Sequence, residues 1–462
     1  MAGFADPSAA MPSVRHSSFA SLVSLTAACA LGLLISACGG GGGGNGALPL
    51  ALVPAAPATP GTPDTGAGSP TPSTPSTPPD AGSPTPPDDP DTGTASPYLS
   101  AQAGDVLAVK IRELHPTQPA VGYDQIYYHL GRKQPDPARY TPTAAGYQGD
   151  VADDNYSRYM YRTDRKRIDD YCADNGRGGV DDSTYVPLTA RLADASTFAC
   201  TEPAPTRDSA AAQGLKTVVV GPKGTLYLTD GHHTMTALHD LPDGGPELTV
   251  WVRVAANLGD APDTDTFWSQ MQANNYAWLK DASQNPITPD QLPAEVGLAH
   301  MQDDPYRSLV YFTRDLGYSN ANVSEFAEFY WATGLRNRGF DLAPYSHDDL
   351  ARARIQIDGG AAVPRPGDST TSYVAAVRDA ALRMVALADT DVVDGGRTAA
   401  ELGRLPPPTS AGTWNDLMED DIWRADVNSS GIYRSAGKAW YAQRYRLCGA
   451  ASAAPACWQQ SN

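Results

Sequence analysis

Positive charge is scarce in this sequence. Its 462 residues contain 34 Lys and Arg against 52 Asp and Glu, which gives a formal net charge of −18 at pH 7. General binding to the phosphate backbone of nucleic acids depends on arrays of Lys and Arg that displace counterions. We therefore do not expect general DNA binding. The sequence also has no Gly-x-Ser-x-Gly turn and no P-loop, the signatures of two common classes of hydrolase.

Cysteine is rare as well, with six in the chain, and two of them lie within the first 38 residues. The other four form two sequence-local pairs, Cys172 with Cys200 and Cys448 with Cys457. An even number of cysteines suits disulfide bonds in an oxidising compartment. We predict these two local disulfides, although four cysteines allow three connectivities. A zinc site is disfavoured because no Cys-x-x-Cys occurs.

Residues 1–37 have the features of a targeting segment. Arg15 and His16 form a short basic region, an apolar stretch covers residues 19–35, and small residues precede Cys38. The stretch is shorter than the ~20 apolar residues that a membrane-spanning helix needs. Because the sequence Ile-Ser-Ala-Cys resembles a lipobox, we predict cleavage before Cys38, lipidation of Cys38, and anchoring to the bacterial cell envelope, on its periplasmic or surface side. An ordinary signal peptide is the alternative.

A Gly-, Pro- and Thr-rich tract covers residues 38–96. Residues 39–96 contain five Asp and neither Lys nor Arg. A segment of this composition has too little apolar surface to form a core, and its prolines favour extended conformations. We predict a disordered tether that holds the following part of the chain away from the membrane.

The remaining residues divide into strand-rich and helix-rich parts. Alternating or β-branched runs predict strands at 106–111, 217–220, 225–228 and 248–254. Helices are predicted at 123–130 and 235–241, and a polar helix near 153–173. Beyond residue 257, apolar residues at helical spacing predict helices at 267–279, 306–316, 323–336 and 373–387. The domain boundaries that we predict are 97–256 with an insertion at 131–213, a helical extension at 257–340, and a helical region at 341–462.

The sequence Asp230-Gly-His-His-Thr234 is the clearest chemical motif. It lies between a predicted strand and a predicted helix, where free backbone N–H groups favour an anion. Gly231 allows a ligand to approach the backbone closely. His232 and His233 are residues that transfer protons or bind metals, and Asp230 can orient a histidine or a cation. In the structural alternative, this is a capped turn whose histidines pack and satisfy backbone carbonyl groups.

In this loop the chain resembles the ParB/sulfiredoxin superfamily, and most closely its ParB-like nuclease branch. The other resembling segments are Lys110–Glu113, Pro116–Gln118, Val121–Gly122, Asp304–Ser308 and Glu325–Trp331. The resemblance implies an α+β fold with a small mixed sheet and helices. The helical spacing of apolar residues beyond residue 257 predicts that a mainly helical C-terminal part follows. The resemblance also implies a phosphate pocket. His232 replaces the sulfiredoxin cysteine, and the arginines of the partition-protein CTP clamp are missing, so neither of those activities is expected.

Two functions follow as hypotheses. In the first, the protein is an envelope-anchored nuclease or phosphohydrolase with Asp230, His232, His233 and Glu113 as catalytic residues. Its cofactor is unknown, and a divalent metal is compatible with these residues. In the second, the same pocket binds a phosphate-bearing or other anionic ligand without turnover. The ligand-binding residues that the resemblance implies for either function are Lys110, Gln118, Gly231 and Thr234.

Overall fold

A computed structural model of the chain describes residues 96–134, 163–321, 323, 326–423, 425–427 and 433–458. The predicted signal segment, Cys38 and all of the predicted tether except Ser96 lie outside these residues. None of the helices within the described ranges has the length and apolar character needed to span a bilayer.

The secondary structure alternates between short strands and helices. The strands are β1 (Val106–Lys110), β2 (Leu114–Pro116), β3 (Ala120–Val121), β4 (Thr217–Val220), β5 (Leu226–Leu228), β6 (Thr249–Asn257), β7 (Gln302–Asp303), β8 (Ile355–Asp358), β9 (Ala361–Pro364), β10 (Val392–Asp394), β11 (Arg397–Thr398), β12 (Ala425–Val427) and β13 (Tyr433–Ala436). The α-helices are α1 (Tyr123–Arg132), α2 (Asp164–Asp174), α3 (His232–Asp240), α4 (Thr264–Ala273), α5 (Pro305–Phe312), α6 (Ala327–Asn337), α7 (Tyr373–Val385), α8 (Ala411–Leu417), α9 (Lys438–Cys448) and α10 (Pro455–Trp458).

Five strands form the central sheet, in the order β1-β6-β4-β5-β2. The pairs β1–β6 and β4–β5 are antiparallel, whereas β4–β6 and β2–β5 are parallel. The prediction of a small mixed sheet is thus confirmed, and β4 matches its predicted bounds. The valines of β4 are buried, as are Leu226 and Leu228 of β5, so this hairpin lies at the centre of the core.

Helices α1 and α3 pack beside this hairpin. Their apolar residues recur at helical spacing and join the same core, including Ile126 and Leu130 of α1 and Met235 and Leu238 of α3. Gly122 precedes α1, and a Cβ atom there would lie only 2.7 Å from the backbone N of Ser308 in α5. Glycine at this position therefore allows α5 to approach the start of α1.

A disulfide joins two positions within the described part of the predicted insertion. Cys172 of α2 is bonded to Cys200 with a Cα–Cα distance of 5.6 Å, and Cys448 is bonded to Cys457 at 5.7 Å, so both predicted pairings are found. Cys172 is fully buried among the core residues. The N-terminal part of the helix predicted at 153–173 lies outside the described residues.

The C-terminal part is mainly helical, as predicted, with small two-stranded sheets between the helices. Helix α9 packs along α1, where the rings of Tyr445 and Tyr127 stack with their centroids 5.6 Å apart. Arg446 of α9 also forms an ion pair with the buried Asp124 of α1. Helix α9 therefore contacts α1 directly. The predicted domain boundaries stay predictions.

Removing the Cys172–Cys200 bond is expected to destabilise the protein more than removing Cys448–Cys457. The first bond closes a sequence separation of 28 residues and the second a separation of 9. Loop-closure entropy gives about 3–4 kcal/mol for the first and about 2–3 kcal/mol for the second. Urea unfolding of the two Cys-to-Ala double variants measures both losses. A larger loss from the C-terminal pair would contradict the prediction.

Candidate functional site

The site is built around the turn between β5 and α3. Strand β5 ends at Leu228 and α3 begins at His232, three residues earlier than the sequence predicted. Gly231 is the N-cap residue with φ of 93°, a left-handed conformation that favours glycine. Lys216 packs closely against Gly231: a Cβ atom on residue 231 would lie only 2.5 Å from Lys216 Cγ. No side chain caps the helix, so its N-terminal end keeps backbone N–H groups that suit an anion.

Both histidines of the motif accept hydrogen bonds from the backbone. The Thr117 N–H group donates to His232 Nε2 at 3.1 Å, and the Gly122 N–H group donates to His233 Nε2 at 2.9 Å. Each imidazole therefore holds the segment between β2 and α1 against the start of α3. This arrangement corresponds to the capped-turn alternative, except that the backbone partners are N–H groups.

The surroundings of the two histidines favour their neutral form. His232 is 3% exposed and His233 is 9% exposed. Burial and, to a smaller extent, the positive charge of Arg307 lower the pKa of His232 to about 3. Burial and the same arginine also lower the pKa of His233 well below its ordinary value. Neutral imidazoles that already accept a hydrogen bond at Nε2 are suited to positioning the loop.

Asp230, the acidic residue of the motif, has a pKa above its ordinary value. Burial raises the pKa of its carboxyl group, although Lys216 and the Gly231 N–H group favour the charged form. The ammonium group of Lys216 is buried and pairs with Asp174 at 3.8 Å. Burial likewise raises the pKa of the Asp174 carboxyl group. Asp230 of the loop thus lies near the Lys216 cation and the Asp174 carboxyl group, and both carboxyl groups have raised pKa values.

The predicted ligand-binding residues Gln118, Thr234 and Lys110 have separate contacts or positions. Gln118 follows the residue that binds His232, and its side chain donates to the Ala120 carbonyl at 2.8 Å. Thr234 is half-buried in the first turn of α3. Lys110 Nζ donates to the Thr249 hydroxyl at 2.9 Å. The structure gives these three side chains no contact that assigns them a ligand-binding role.

The Glu113 carboxylate accepts hydrogen bonds from groups outside the loop at residues 229–234. Its carboxylate accepts from the Tyr98 hydroxyl at 2.8 Å and from the Lys110 N–H group at 2.6 Å. Tyr98 belongs to the 3-10 helix Pro97–Ser100, which packs on the turn between β4 and β5, at the opposite end of that hairpin from Asp230. We therefore leave Glu113 out of the proposed site; its catalytic role remains a prediction without a supporting contact.

A buried charge cluster next to the histidines was not predicted. Glu328 of α6 accepts hydrogen bonds from Arg307 of α5 and from Arg314, whose Nε lies 2.9 Å away. The charges of these three residues all act on His233. Arg307 and Glu328 fall in the segments that carried the family resemblance, so that resemblance was the available signal; Glu325 of the same segment lies outside the described residues.

A metal site is not evident at this loop. In the described ranges, no group of three or more His, Cys, Asp and Glu side chains is arranged to hold a metal ion. The Nε2 atoms of His232 and His233 already accept backbone N–H groups. Because these residues do not fit a metal as they are arranged, we derive no metal-dependent step.

Gly231→Ala is expected to lower the free energy of unfolding by about 2–5 kcal/mol. A left-handed conformation costs an L-residue about 1–2 kcal/mol, and overpacking against Lys216 adds about 1–3 kcal/mol. Gly412→Ala is the control, because a Cβ there has its nearest neighbour at 3.8 Å and φ is not positive. Urea unfolding compares the two variants. Equal stabilities would show that Gly231 is not required by the loop.

Comparison with known proteins identifies the family. The family model described as "Putative ParB-like nuclease" matches residues 107–337, half of the chain. A search of the curated proteins gives no match. The crystal structure of protein Atu1540 from Agrobacterium tumefaciens is similar at 22% sequence identity, over 50% of this chain and 80% of that chain, with a TM-score of 0.30, too low to compare the folds in detail. Through residues 107–337, this chain belongs to the ParB-like nuclease family.

Proposed function

We propose that this protein is an envelope-anchored phosphohydrolase that binds a phosphate-bearing ligand at residues 229–234. The observation that carries the proposal is the Asp230 carboxyl group, whose pKa is raised, at the open N-terminus of α3 and near the buried Lys216. A helix N-terminus and a lysine together favour phosphate oxygens. The match to the ParB-like nuclease family supports hydrolysis of a phosphoester.

The proposed mechanism divides the work between three groups. The N–H groups at the start of α3 and the Lys216 ammonium bind the phosphate and stabilise the negative charge that develops on its oxygens. A water molecule attacks the phosphorus and forms the new P–O bond as the bond to the leaving oxygen breaks. Asp230 donates its proton to that leaving oxygen, for which a raised pKa is favourable. The attacking water loses a proton to solvent, and solvent returns a proton to Asp230. His232 and His233 position the loop through their backbone hydrogen bonds and do not transfer protons.

Asp230→Asn is expected to lower kcat for phosphodiester hydrolysis by about 10²–10⁴-fold, the usual contribution of a general acid or base. KM should change little because the N–H groups and Lys216 remain. The assay uses the full chain in detergent micelles with bis(p-nitrophenyl) phosphate, single-stranded DNA and RNA, each with and without Mg²⁺ or Mn²⁺. The control is Asp208→Asn, an exposed residue. Unchanged turnover in Asp230→Asn would exclude its role as the general acid.

Anchoring to the envelope is supported by the sequence before Cys38. Cys38→Ala is expected to release the protein from the membrane fraction and to abolish incorporation of labelled fatty acid. Retention of the label in Cys38→Ala would contradict lipidation at this residue.

Binding without turnover is the second candidate function. It is favoured by the two histidines, which are buried and hold the loop in place as neutral groups. In this case, phosphate, pyrophosphate or a nucleotide raises the melting temperature of the full chain, no product forms, and Asp230→Asn keeps the shift. If the wild type hydrolyses a phosphoester and Asp230→Asn does not, binding without turnover is excluded.

A further inference from the structure

A groove of about 670 Å³ lies between α4 and residues 289–294, apart from the residues of the proposed site. Tyr227 and Trp268 form an aromatic wall, with ring centroids 5.3 Å apart and an edge-to-face arrangement. His115 and Pro116 of β2 also line the groove. Asp265 and Asp290 are exposed on its rim. The groove therefore has an aromatic interior and a negatively charged edge.

The N-terminal tract meets the domain beside this groove. The hydroxyl group of Ser96, the first described residue, donates to the Gly224 carbonyl at 3.3 Å. Gly224 lies three residues before Tyr227, a distance of at most ~10 Å along the chain. The residues that precede Ser96 are consequently attached next to the aromatic wall.

The tract contains a short repeat suited to such a wall. Pro72, Pro75 and Pro78 recur every third residue, and residues 69–79 carry no charged side chain. A polyproline II helix has three residues per turn, so these prolines would share one face. Grooves lined with aromatic rings bind proline-rich segments in this conformation, at a low entropic cost.

We propose that residues 69–79 dock into this groove of their own chain. The exposed carboxylates of Asp265 and Asp290 disfavour the acidic residues 80–91, so the uncharged residues 69–79 are the part that fits. The 16 residues between Pro79 and Ser96 span about 50 Å if fully extended and less as a coil, enough for residues 69–79 to reach Tyr227. Because the segment is tethered, its effective concentration is on the order of millimolar, and a weak contact suffices.

Docking would shorten the path between Cys38 and the domain. Undocked, the tether runs from Cys38 to Ser96; docked, only the residues between Cys38 and residue 69 separate the lipid from the groove. The domain is then held closer to the membrane, and a ligand that competes for the groove would release it.

Hydrogen exchange of the full chain in detergent micelles tests the docking. The test variant carries Pro72→Ala, Pro75→Ala and Pro78→Ala, three positions outside the described residues. We expect amides of α4 and residues 289–294 to exchange several-fold faster in this variant than in the wild type. The matched control carries Pro84→Ala, Pro86→Ala and Pro90→Ala and should exchange like the wild type.

A peptide of residues 69–79 completes the experiment. Added to the test variant, it should restore protection of the groove in a saturable manner, whereas the same peptide with the three alanines should not. Exchange in the test variant equal to that of the wild type would overturn the proposal. Protection that depends on protein concentration would also overturn it, since the occupant would then be a second copy of the chain.

Discussion

Glu328→Gln is expected to lower the free energy of unfolding by about 3–5 kcal/mol, the usual effect of removing one partner from a buried ion pair. The Glu328 carboxylate is only 9% exposed and lies between Arg307 and Arg314. It also accepts a hydrogen bond from the Tyr318 hydroxyl at 3.1 Å. A neutral amide of similar size keeps the packing but leaves two guanidinium groups without their counter-charge.

The pKa values in the cluster show the same coupling. Arg307 and Arg314 hold the pKa of the Glu328 carboxyl group well below its ordinary value, although burial acts in the opposite direction. Burial alone would lower the pKa of Arg314, but the charge of Glu328 raises it well above its ordinary value. Since each charge is stabilised by the other, removing the single carboxylate affects both arginines.

Glu247→Gln is the matched control for this substitution. Glu247 pairs with Arg112 at 2.7 Å, but the two side chains are 69% and 55% exposed. Exposed pairs contribute about 0–1 kcal/mol. Urea unfolding of the wild type and both variants at neutral pH gives the comparison. Equal losses in the two variants would mean that the Glu328 cluster is screened by solvent and does not stabilise the fold.

The sheet could be predicted from local sequence because its strands are recognisable one at a time. Residues 217–220 form an uninterrupted β-branched run that is buried in the core, and 225–228 follows after a short turn. The start of α3 was predicted three residues too late, because His232 and His233 have no strong helical preference. Gly231 begins the helix there through its left-handed conformation.

The contacts of the site could not be predicted in this way. Thr117 and Gly122 are more than a hundred residues from the histidines that they bind, and no local pattern encodes such a pair. Lys216 also lacked a signal, because one lysine before a strand is usually solvent-exposed. Conversely, a catalytic Glu113 follows from the family segment alone; its carboxylate accepts the Lys110 N–H group of its own turn and the Tyr98 hydroxyl group.

Acid is expected to destabilise the protein through His232 and His233, starting below about pH 6.5, the ordinary pKa of histidine. Burial lowers both pKa values in the folded state, to about 3 for His232. An unfolded chain binds protons at these residues from about pH 6.5 downwards, whereas the folded protein does not. Their contribution to stability is therefore complete above pH 6.5 and is lost as the pH falls towards the folded pKa values.

The size of the effect follows from proton linkage. Each histidine removes at most about 1.4 kcal/mol of stability per pH unit, so the pair removes at most about 4 kcal/mol between pH 6.5 and 5. His129 is also buried with a pKa lowered well below its ordinary value, and it adds to the slope. The measurement is the free energy of unfolding in urea at several pH values from 7.5 to 5.

The variant His232→Gln with His233→Gln isolates the contribution of the pair. Glutamine does not titrate in this range, and its amide oxygen can still accept a backbone N–H group. This variant should be less stable than the wild type at pH 7.5, but its stability should fall less steeply on acidification. His300→Gln, at a 44% exposed side chain, is the control for replacing a histidine by glutamine outside the loop. If the double variant kept the slope of the wild type, protons would enter the folded loop, and the two histidines would again be candidates for acid–base catalysis.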